Sequence, residues 1–267
     1  WRLSRGDYGW LTPSFVAIYR DFEPSDLRPQ IARCAVGETI AVQAAPTVDE
    51  TRFLLQLAEQ HEFIAGVVGW VDFEAPNVAD VLTELRTHKK LVGVRPMLQD
   101  IDDPQWILRP ALAPAFDALL QAGLTFDALV RAHQLPVVLE LAQRYPNLTI
   151  ILDHAAKPDI ANRRFDVWAE DIRALSRASN VTCKLSGLVT EAGTADYDSL
   201  APYVAHVLEC FGPERIMWGS DWPVCTLVCD YSTWFDLSQR LTAHLSPTER
   251  ASIFGNVARR IYGLKQP

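Results

Sequence analysis

A segment near the carboxyl end of the chain delivers a carboxylate to a place that suits catalysis. Residues Arg215–Val224 read Arg-Ile-Met-Trp-Gly-Ser-Asp-Trp-Pro-Val. The apolar and aromatic start is typical of a short buried strand. Pro223 cannot extend a ladder, so the strand must stop near Trp222. Asp221 is thereby predicted at the end of a core strand, as a candidate general base or metal ligand; the alternative is an ordinary turn-capping aspartate.

Further polar side chains follow other apolar runs of the chain. Lysine and arginine are rarely buried unless they are paired, yet two of these runs contain one. Each is predicted either to form a structural ion pair with a neighbouring carboxylate or to bind an anionic or polyhydroxy substrate. The strand-end residues that accompany Asp221 are Gln43, Arg95, Asp127, His154 and Lys184.

His154 is the histidine best placed for function, because it follows an apolar strand and has Asp221 as a candidate partner. The other histidines are predicted to be solvated, in helices or at helix ends: His61, His88, His133, His206 and His244. The sequence contains no Gly-x-Ser-x-Gly elbow, no His-Glu-x-x-His motif and no P-loop. Water-based chemistry remains, with a carboxylate base, a histidine and cationic groups that stabilise an oxyanion.

The elements that must position these residues recur at intervals of roughly 30 residues, about the length of one βα unit. Most of the apolar runs do not alternate, which indicates a parallel sheet covered on both faces. The predicted strands are Thr39–Ala45, Phe63–Asp72, Leu91–Met97, Leu124–Val130, Leu148–Ala155, Val181–Leu188 and Arg215–Trp222. Helices are predicted at Asp49–His61, Gln134–Tyr145, Phe165–Ser179, Tyr197–Phe211 and Pro247–Phe254.

Two architectures fit this alternation, an open doubly wound sheet and a (β/α)8 TIM barrel. The glycine-rich fingerprint of a dinucleotide-binding sheet is absent, and a length of 267 residues suits one barrel domain over residues 1–267. A barrel places functional groups at the carboxyl ends of its strands, where the polar residues are predicted. A barrel needs eight strands, so we expect the missing first strand upstream of Trp1.

Composition narrows the compartment and the partners. The chain is 49% hydrophobic and 22% charged, which is ample for a core. Its net charge of −8 argues against a broad basic surface for nucleic acid, and no apolar run is long enough for a membrane helix. The cysteines are too scattered to form a disulfide framework, which favours a cytoplasmic location. They are predicted to be small buried side chains. The five cysteines are Cys34, Cys183, Cys210, Cys225 and Cys229.

Three strand-end motifs resemble those of the sugar-lactone hydrolase branch of the amidohydrolase superfamily. Its members include L-fuconolactone and L-rhamnonolactone hydrolases, and 2-pyrone-4,6-dicarboxylate lactonase is a relative. The resemblance covers nearly the whole chain and includes Ala41–Ala44, Gly93–Arg95 and Gln134–Pro136. The three motifs are Leu152-Asp153-His154-Ala155-Ala156-Lys157-Pro158, Cys183-Lys184-Leu185-Ser186-Gly187-Leu188 and Trp218-Gly219-Ser220-Asp221-Trp222-Pro223.

This resemblance implies a (β/α)8 barrel in which Asp221 activates the water that opens a sugar lactone to its aldonic acid. It implies that His154 binds the carbonyl oxygen or a metal. It also implies that Arg95, Gln43 and Lys184 orient the substrate and stabilise the tetrahedral oxyanion.

Metal use differs within this branch, since some members resemble zinc enzymes and others work without metal. His154 and Asp221 are the candidate ligands of one divalent metal, with zinc the first choice. Family members open with a His-x-His strand, often followed closely by Phe-Trp, and this sequence contains no His-x-His. We therefore expect two further site histidines, together with the missing strand, upstream of Trp1.

Two rival interpretations stay open at this point. Related barrels decarboxylate aromatic or muconate-type acids with a metal, and a barrel can bind a sugar acid without turning it over. Trp106 and Trp222 are candidates for stacking on a sugar face, with packing against the barrel rim as the alternative. The loops Asp100–Leu108 and Thr190–Tyr197 are expected to set the stereochemistry of the substrate.

Overall fold

A computed structural model describes residues 1–264 and contains one parallel sheet in which each strand pairs with the next along the chain. The strands are β1 Thr39–Val42, β2 Ile64–Gly69, β3 Leu91–Val94, β4 Thr125–Ala128, β5 Ile150–Leu152, β6 Val181–Leu185 and β7 Ile216–Trp218. In the described part of the chain, β1 and β7 each pair along one edge. The sheet curls and its outer face is covered by helices, as in an α/β barrel.

The helices lie between the strands and at both ends of the sheet. They are α1 Pro24–Arg33, α2 Val48–Gln60, α3 Val78–Leu85, α4 Ala113–Ala122, α5 Leu135–Arg144, α6 Asp166–Leu175, α7 Leu188–Ala192, α8 Tyr197–Phe211, α9 Tyr231–Leu241, α10 Pro247–Ala251 and α11 Val257–Ile261. A π-helical segment, Ser252–Asn256, joins α10 to α11. No helix within residues 1–264 has both the length and the apolar character that crossing a membrane requires.

Local sequence explains where several helices begin. Thr47 Oγ1 accepts a hydrogen bond from the Glu50 N–H at the start of α2, and Ser246 does the same for Glu249 at the start of α10. Such caps satisfy N–H groups that have no partner inside the helix. Pro136 occupies the first turn of α5, as the sequence predicts.

All seven predicted strands are confirmed, but each ladder is shorter than predicted. The run Leu148–Ala155 narrows to β5, and Arg215–Trp222 narrows to β7. Pairing stops before the polar residues because the backbone turns there: His154 has φ 53° and Asp221 has φ 54°. His154 and Asp221 therefore stand just beyond the strand ends, whereas Asp127 and Lys184 lie within the ladders of β4 and β6.

The helix predictions are confirmed in position but incomplete. The predicted helix Tyr197–Phe211 has the bounds of α8, whereas the predicted helix Pro247–Phe254 passes from α10 into the π-helical segment. The sequence patterns leave α1, α3, α4, α7, α9 and α11 unpredicted; α3, α7 and α11 are shorter than the window of roughly 11–18 residues in which helical periodicity is recognised.

Two predictions about single side chains are wrong. His206 is not solvated: it is 8% exposed in α8, and its Nε2–H donates to the Ala169 carbonyl oxygen over 2.8 Å. Helical spacing beside buried Tyr203 and Val207 would have placed it on the inner face. All five cysteines are free, as predicted, but three of them are only partly buried, namely Cys34, Cys210 and Cys229.

The inner face of the sheet is closed near the amino ends of the strands by the last helix of the described chain. Val68, Val92, Ile151 and Met217, from four different strands, pack against Val257 and Tyr262. Ser252, in the π-helical segment, donates a 2.7 Å hydrogen bond to Glu214, which lies just before β7. Because this packing covers the amino ends of the strands, a ligand would approach the sheet from the carboxyl ends.

An aromatic cluster from the first residues of the chain lies at the carboxyl ends of β1 and β7. Phe22 meets Trp222 edge to face with ring centroids 5.2 Å apart, and Trp10 Nε1 donates to the Ala44 carbonyl oxygen over 2.7 Å. Because Ala44 follows Gln43 and Trp222 follows Asp221, this cluster forms a wall beside both predicted site residues.

Candidate active site

The predicted base and the predicted histidine meet at the carboxyl ends of β5 and β7. His154 Nε2 lies 3.7 Å from Asp221 Oδ1, and the two side chains are 10% and 19% exposed. The other ring nitrogen, Nδ1, lies 2.8 Å from Ser186 Oγ at the end of β6. Three successive strand ends thus hold one row at the open end of the sheet, in which Ser186 and His154 are hydrogen-bonded and Asp221 is close to the ring but not hydrogen-bonded to it.

An unusual turn carries His154. Four consecutive residues, His154 to Lys157, have positive φ values of 53°, 49°, 60° and 52°, although none is glycine. Left-handed conformations are costly for residues with a Cβ and gather at functional sites. The turn closes through the Lys157 N–H, which donates to the His154 carbonyl oxygen over 2.9 Å.

Gly187 allows the histidine ring to lie against the β6 loop. Its φ is +70°, and a Cβ at this position would stand 2.8 Å from His154 Cγ and Nδ1. A side chain there would displace the ring. Glycine therefore serves two needs at this position, the backbone conformation and the close approach of the imidazole.

Burial keeps the histidine neutral. Burial lowers the pKa of His154 and outweighs the nearby charges of Asp221 and Asp153, which act in the opposite direction. A neutral imidazole has one N–H and one free nitrogen. It can therefore donate to a substrate oxygen or bind a metal, but not both from the same nitrogen.

Lys184 holds a buried charge network inside the sheet. Its ammonium lies 2.5 Å from Asp127 Oδ2 and 2.7 Å from Asp153 Oδ1. The Tyr262 hydroxyl also donates to Asp127 over 2.8 Å. Burial would lower the pKa of Lys184, but the two carboxylates outweigh it and raise that pKa well above its ordinary value. The structure therefore places Lys184 in the ion-pair alternative that its sequence left open.

Arg95 and Gln43 complete this network toward the open end. Arg95 Nη1 lies 3.0 Å from Asp153 Oδ2, Arg95 Nη2 donates to the Gln43 carbonyl oxygen, and Gln43 Nε2 donates back to the Arg95 carbonyl oxygen over 2.7 Å. Two buried atoms, Gln43 Oε1 and Arg95 Nε, have no hydrogen-bond partner among residues 1–264. Those atoms are the ones in the two side chains that retain hydrogen-bonding capacity.

The two tryptophans considered for sugar stacking have different surroundings. Trp106 is 9% exposed, packs near Phe73 and donates from Nε1 to Glu74 Oε1 over 3.1 Å. Its surroundings match the packing alternative. Trp222 is only partly buried and borders Asp221, so it remains the candidate for contact with a substrate ring.

Three residues that the sequence did not single out surround this row. Ser186 bonds His154, and Lys157 Nζ lies 3.9 Å from Glu191 Oε1. Asp221 contributes to the pKa of both Lys157 and Glu191, which places it in their electrostatic neighbourhood. Lys157 and Ser186 lie in the quoted motifs, so strand-end position was an available signal. Glu191 lies in the segment Thr190–Tyr197, which was expected to act as a substrate loop and which begins in α7.

The spacing of His154 and Asp221 is compatible with two ligands of one zinc ion. Two ligands on one tetrahedral zinc stand roughly 3.4 Å apart, given bonds of about 2.0–2.1 Å, and His154 Nε2 and Asp221 Oδ1 are 3.7 Å apart. Catalytic zinc usually takes three protein ligands. Within residues 1–264 no group of three histidine, cysteine, aspartate or glutamate side chains is placed to hold a metal. These residues alone therefore do not complete the ligand set.

Comparison with known proteins identifies the family. The Amidohydrolase family model matches residues 10–264. An L-fucono-1,5-lactonase from Burkholderia ambifaria is 44% identical over 272 residues, covering 100% of this chain and 94% of that protein. An L-fucono-1,5-lactonase from Burkholderia multivorans is 39% identical, again covering 100% and 94%. A crystal structure of a Burkholderia multivorans amidohydrolase with bound zinc has a TM-score of 0.92 at 38% identity, covering 99% and 96% of the two chains. The chain belongs to the amidohydrolase family.

Proposed function

We propose that this protein is a lactonase that hydrolyses a sugar lactone to its aldonic acid, with L-fucono-1,5-lactone as the first substrate to test. The observation that carries this proposal is the 3.7 Å approach of the Asp221 carboxylate to the neutral His154 ring at the open end of the sheet. Two relatives named L-fucono-1,5-lactonase, 44% and 39% identical to this chain, support the reaction and the substrate class.

In this mechanism Asp221 is the general base. It accepts a proton from water while the water oxygen attacks the lactone carbonyl carbon. The tetrahedral oxyanion then collapses, the ring C–O bond breaks, and the ring oxygen takes the proton from Asp221 to become a hydroxyl group, which regenerates the carboxylate. One water is consumed, and the product carries one new carboxyl group and one new hydroxyl group.

His154 stabilises the oxyanion in the same mechanism. If the Ser186 hydroxyl donates to Nδ1, the ring hydrogen remains on Nε2, the nitrogen that faces Asp221. That N–H donates to the carbonyl oxygen as negative charge develops, and a donor fixed in a water-poor site contributes more than one in bulk water. We propose substrate contact for Trp222, and for Gln43 Oε1 and Arg95 Nε, the unpartnered atoms of the buried network.

For Lys184 we propose a supporting role beside the predicted substrate contact. Because its ammonium is already shared by Asp127 and Asp153, it holds the carboxylate that positions Arg95. Breaking such a buried pair leaves an uncompensated charge. Lys184 thus acts on the substrate mainly through Asp153 and Arg95.

The charge balance around the site favours an uncharged substrate. A neutral lactone needs no extra counter-ion, whereas an aromatic or muconate-type acid needs a free cation. With His154 neutral, the charged groups around the site in residues 1–264 are four cations, Arg95, Arg131, Lys157 and Lys184, and five carboxylates, Asp127, Asp153, Asp159, Glu191 and Asp221, so the cations are not in excess. Decarboxylation of such an acid is therefore the weaker candidate, and the relatives' names agree with that ranking.

We also propose the finer features of fold and cofactor. The free edges of β1 and β7 would accept an eighth strand and close a (β/α)8 barrel. Zinc is the proposed metal where one is bound, with His154 and Asp221 among its ligands. Such a metal would polarise the lactone carbonyl or lower the pKa of bound water.

Substitution of Asp221 tests the function. We expect Asp221→Asn to lower kcat for L-fucono-1,5-lactone by about 10²- to 10⁴-fold, the usual contribution of a general base, while ligand binding is largely kept. Acid release followed with a pH indicator, with and without chelator, measures turnover and metal dependence together. Asp80→Asn, at an exposed position in α3, is the matched control. Turnover by Asp221→Asn at the wild-type rate would rule out this base, and ligand binding without turnover by the wild type would indicate a binding protein.

A further inference from the structure

Lys157 and Glu191 form an ion pair that lacks hydrogen bonds beside the predicted catalytic residues. Lys157 Nζ and Glu191 Oε1 are 3.9 Å apart, and the side chains are 20% and 23% exposed. In the part of the chain that the structure describes, neither the ammonium nor the carboxylate makes a hydrogen bond. Both charged groups can therefore accept or donate hydrogen bonds to a ligand, and hydrogen bonds to charged groups contribute the most to binding.

The backbone directs this pair toward the site. The left-handed turn from His154 to Lys157 has about three residues per turn, so side chains three positions apart lie on the same side. Lys157 therefore extends on the same side as the His154 ring. Glu191 is carried by α7, which begins directly after Gly187, the residue that contacts the His154 ring. The same two loops thus hold the predicted catalytic histidine and the ion pair.

The chemistry of the pair selects a hydroxyl group. Glu191 and Asp221 would repel a carboxylate, and Lys157 would repel an ammonium. A hydroxyl both donates and accepts, and an oxygen about 2.8 Å from each atom of the pair would meet them at an angle of roughly 90°. Burial lowers the pKa of Lys157 and raises that of Glu191, so both charged forms are poorly solvated before a ligand arrives.

We propose that Lys157 and Glu191 form the hydroxyl-recognising subsite of this enzyme and determine its preference for polyhydroxy lactones over unsubstituted ones. The inference rests on the proposed lactonase function and adds to it the pair of residues that reads the sugar. Lys157 donates to a ring hydroxyl oxygen, and the same hydroxyl donates to Glu191. The subsite lies next to Asp221 and His154, so it recognises a hydroxyl group on a carbon close to the scissile carbonyl.

The test compares two lactones that share a six-membered ring. L-fucono-1,5-lactone carries ring hydroxyls and δ-valerolactone carries none. We expect Lys157→Met and Glu191→Gln each to lower kcat/KM for L-fucono-1,5-lactone by about 10- to 100-fold, mainly through KM, since hydrogen bonds to charged groups are the ones removed. The ratio of kcat/KM between the two lactones should fall by at least about tenfold. A wild-type ratio in both variants would overturn the subsite.

Controls separate the subsite from a general effect on folding. Lys89→Met and Glu62→Gln, both at exposed positions, should keep the wild-type ratio. Lys157→Arg retains the donors and should recover most of the preference. Thermal unfolding shows whether each variant is folded, and an equal loss of activity on both lactones in a folded Lys157→Met protein would argue for a different role and against the subsite.

A binding measurement distinguishes failure of this inference from failure of the proposed function. L-fucose carries ring hydroxyls without a lactone carbonyl, and calorimetry measures its affinity without turnover. We expect Lys157→Met and Glu191→Gln to bind it at least about tenfold more weakly than the wild type. Equal binding by wild type and variants would overturn the subsite even in an active lactonase. If the wild type hydrolyses neither lactone but the variants still bind L-fucose more weakly, the subsite is supported and the proposed reaction is overturned.

Discussion

At the scale of single residues, the position of His154 depends on what its neighbours lack. Gly187 has no Cβ to meet the ring, and Gly219 similarly approaches Ser186, where a Cβ would stand 3.1 Å from the serine Cβ. Ser186 then bonds Nδ1. The histidine proposed to be catalytic is therefore held by one hydrogen bond and by two close backbone approaches, all of which a single methyl group can disturb.

Gly187→Ala should lower both stability and activity. The new Cβ would adopt a left-handed φ and overlap the His154 ring, so we expect a loss of about 2–4 kcal/mol in the free energy of unfolding and a fall in kcat/KM of at least about tenfold. Gly123→Ala is the matched control, since φ there is +62° with nothing within 4 Å of a Cβ. Urea unfolding and lactone turnover measure both effects. Equal stability and activity in the two variants would show that the contact between Gly187 and the His154 ring affects neither property.

At the scale of elements, the turn after β5 departs most from ordinary backbone. Four successive residues with side chains adopt positive φ, which carries an energetic cost. Ala155 and Ala156 are completely buried within it. The small side chains permit a compact reversal that turns His154 and Lys157 to the same side. The turn is thus the element that links the predicted catalytic residue to the proposed hydroxyl subsite.

Ala156→Gly tests whether this turn is strained. Glycine loses the buried methyl group but adopts positive φ without a steric cost. Ala58→Gly, in helix α2, removes an equally buried methyl group and also suffers the helix penalty of glycine. We expect Ala156→Gly to be less destabilising than Ala58→Gly by about 1–3 kcal/mol in urea unfolding. A larger loss for Ala156→Gly would show that the turn is relaxed.

At the scale of the whole molecule, one charge network ties the sheet together. It runs from Tyr262 to Asp127, Lys184, Asp153 and Arg95, and so joins the last described helix to strands β3 to β6. Raising the pKa of Lys184 means that the folded state binds its proton more tightly than the unfolded chain. That stabilisation is fully present below the ordinary lysine pKa of about 10.4 and is lost only as the pH rises through the higher folded value.

Lys184→Met should therefore be strongly destabilising at neutral pH. It leaves Asp127 and Asp153 buried without their cation, and we expect a loss of about 3–5 kcal/mol in the free energy of unfolding. Without the lysine, burial raises the pKa values of the two carboxyl groups. The variant should therefore recover stability as the pH falls from 7 toward 4 and these groups become protonated. In the wild type, the contribution of Lys184 to stability stays constant over that range. Urea unfolding at several pH values measures this, with exposed Lys89→Met as control. A difference in unfolding free energy between Lys184→Met and the wild type that does not change with pH would contradict the role of Lys184 as the counter-ion of Asp127 and Asp153.

The sequence alone was sufficient for the parallel α/β order and for the strand-end residues. Apolar runs, Pro223 and the turn residues are local signals, so β7 and the position of Asp221 just beyond it follow from a few neighbouring residues. The helices α3 and α7, of 8 and 5 residues, are too short to be recognised by their periodicity in a window of roughly 11–18 residues. Glu191, which lies on α7, was therefore covered only by the predicted substrate loop Thr190–Tyr197 and was not named as a site residue.

The partners of each charged group came from the tertiary structure. Lys184 was equally consistent with a structural pair and with substrate contact until the packed sheet brought Asp127 and Asp153 to within 2.7 Å of its ammonium. His154 and Asp221 lie far apart in sequence, and only strand order and curvature bring them to 3.7 Å. Strand ends are encoded by local chemistry, whereas pairing across a barrel depends on the register and curl of all its strands, which no short segment contains.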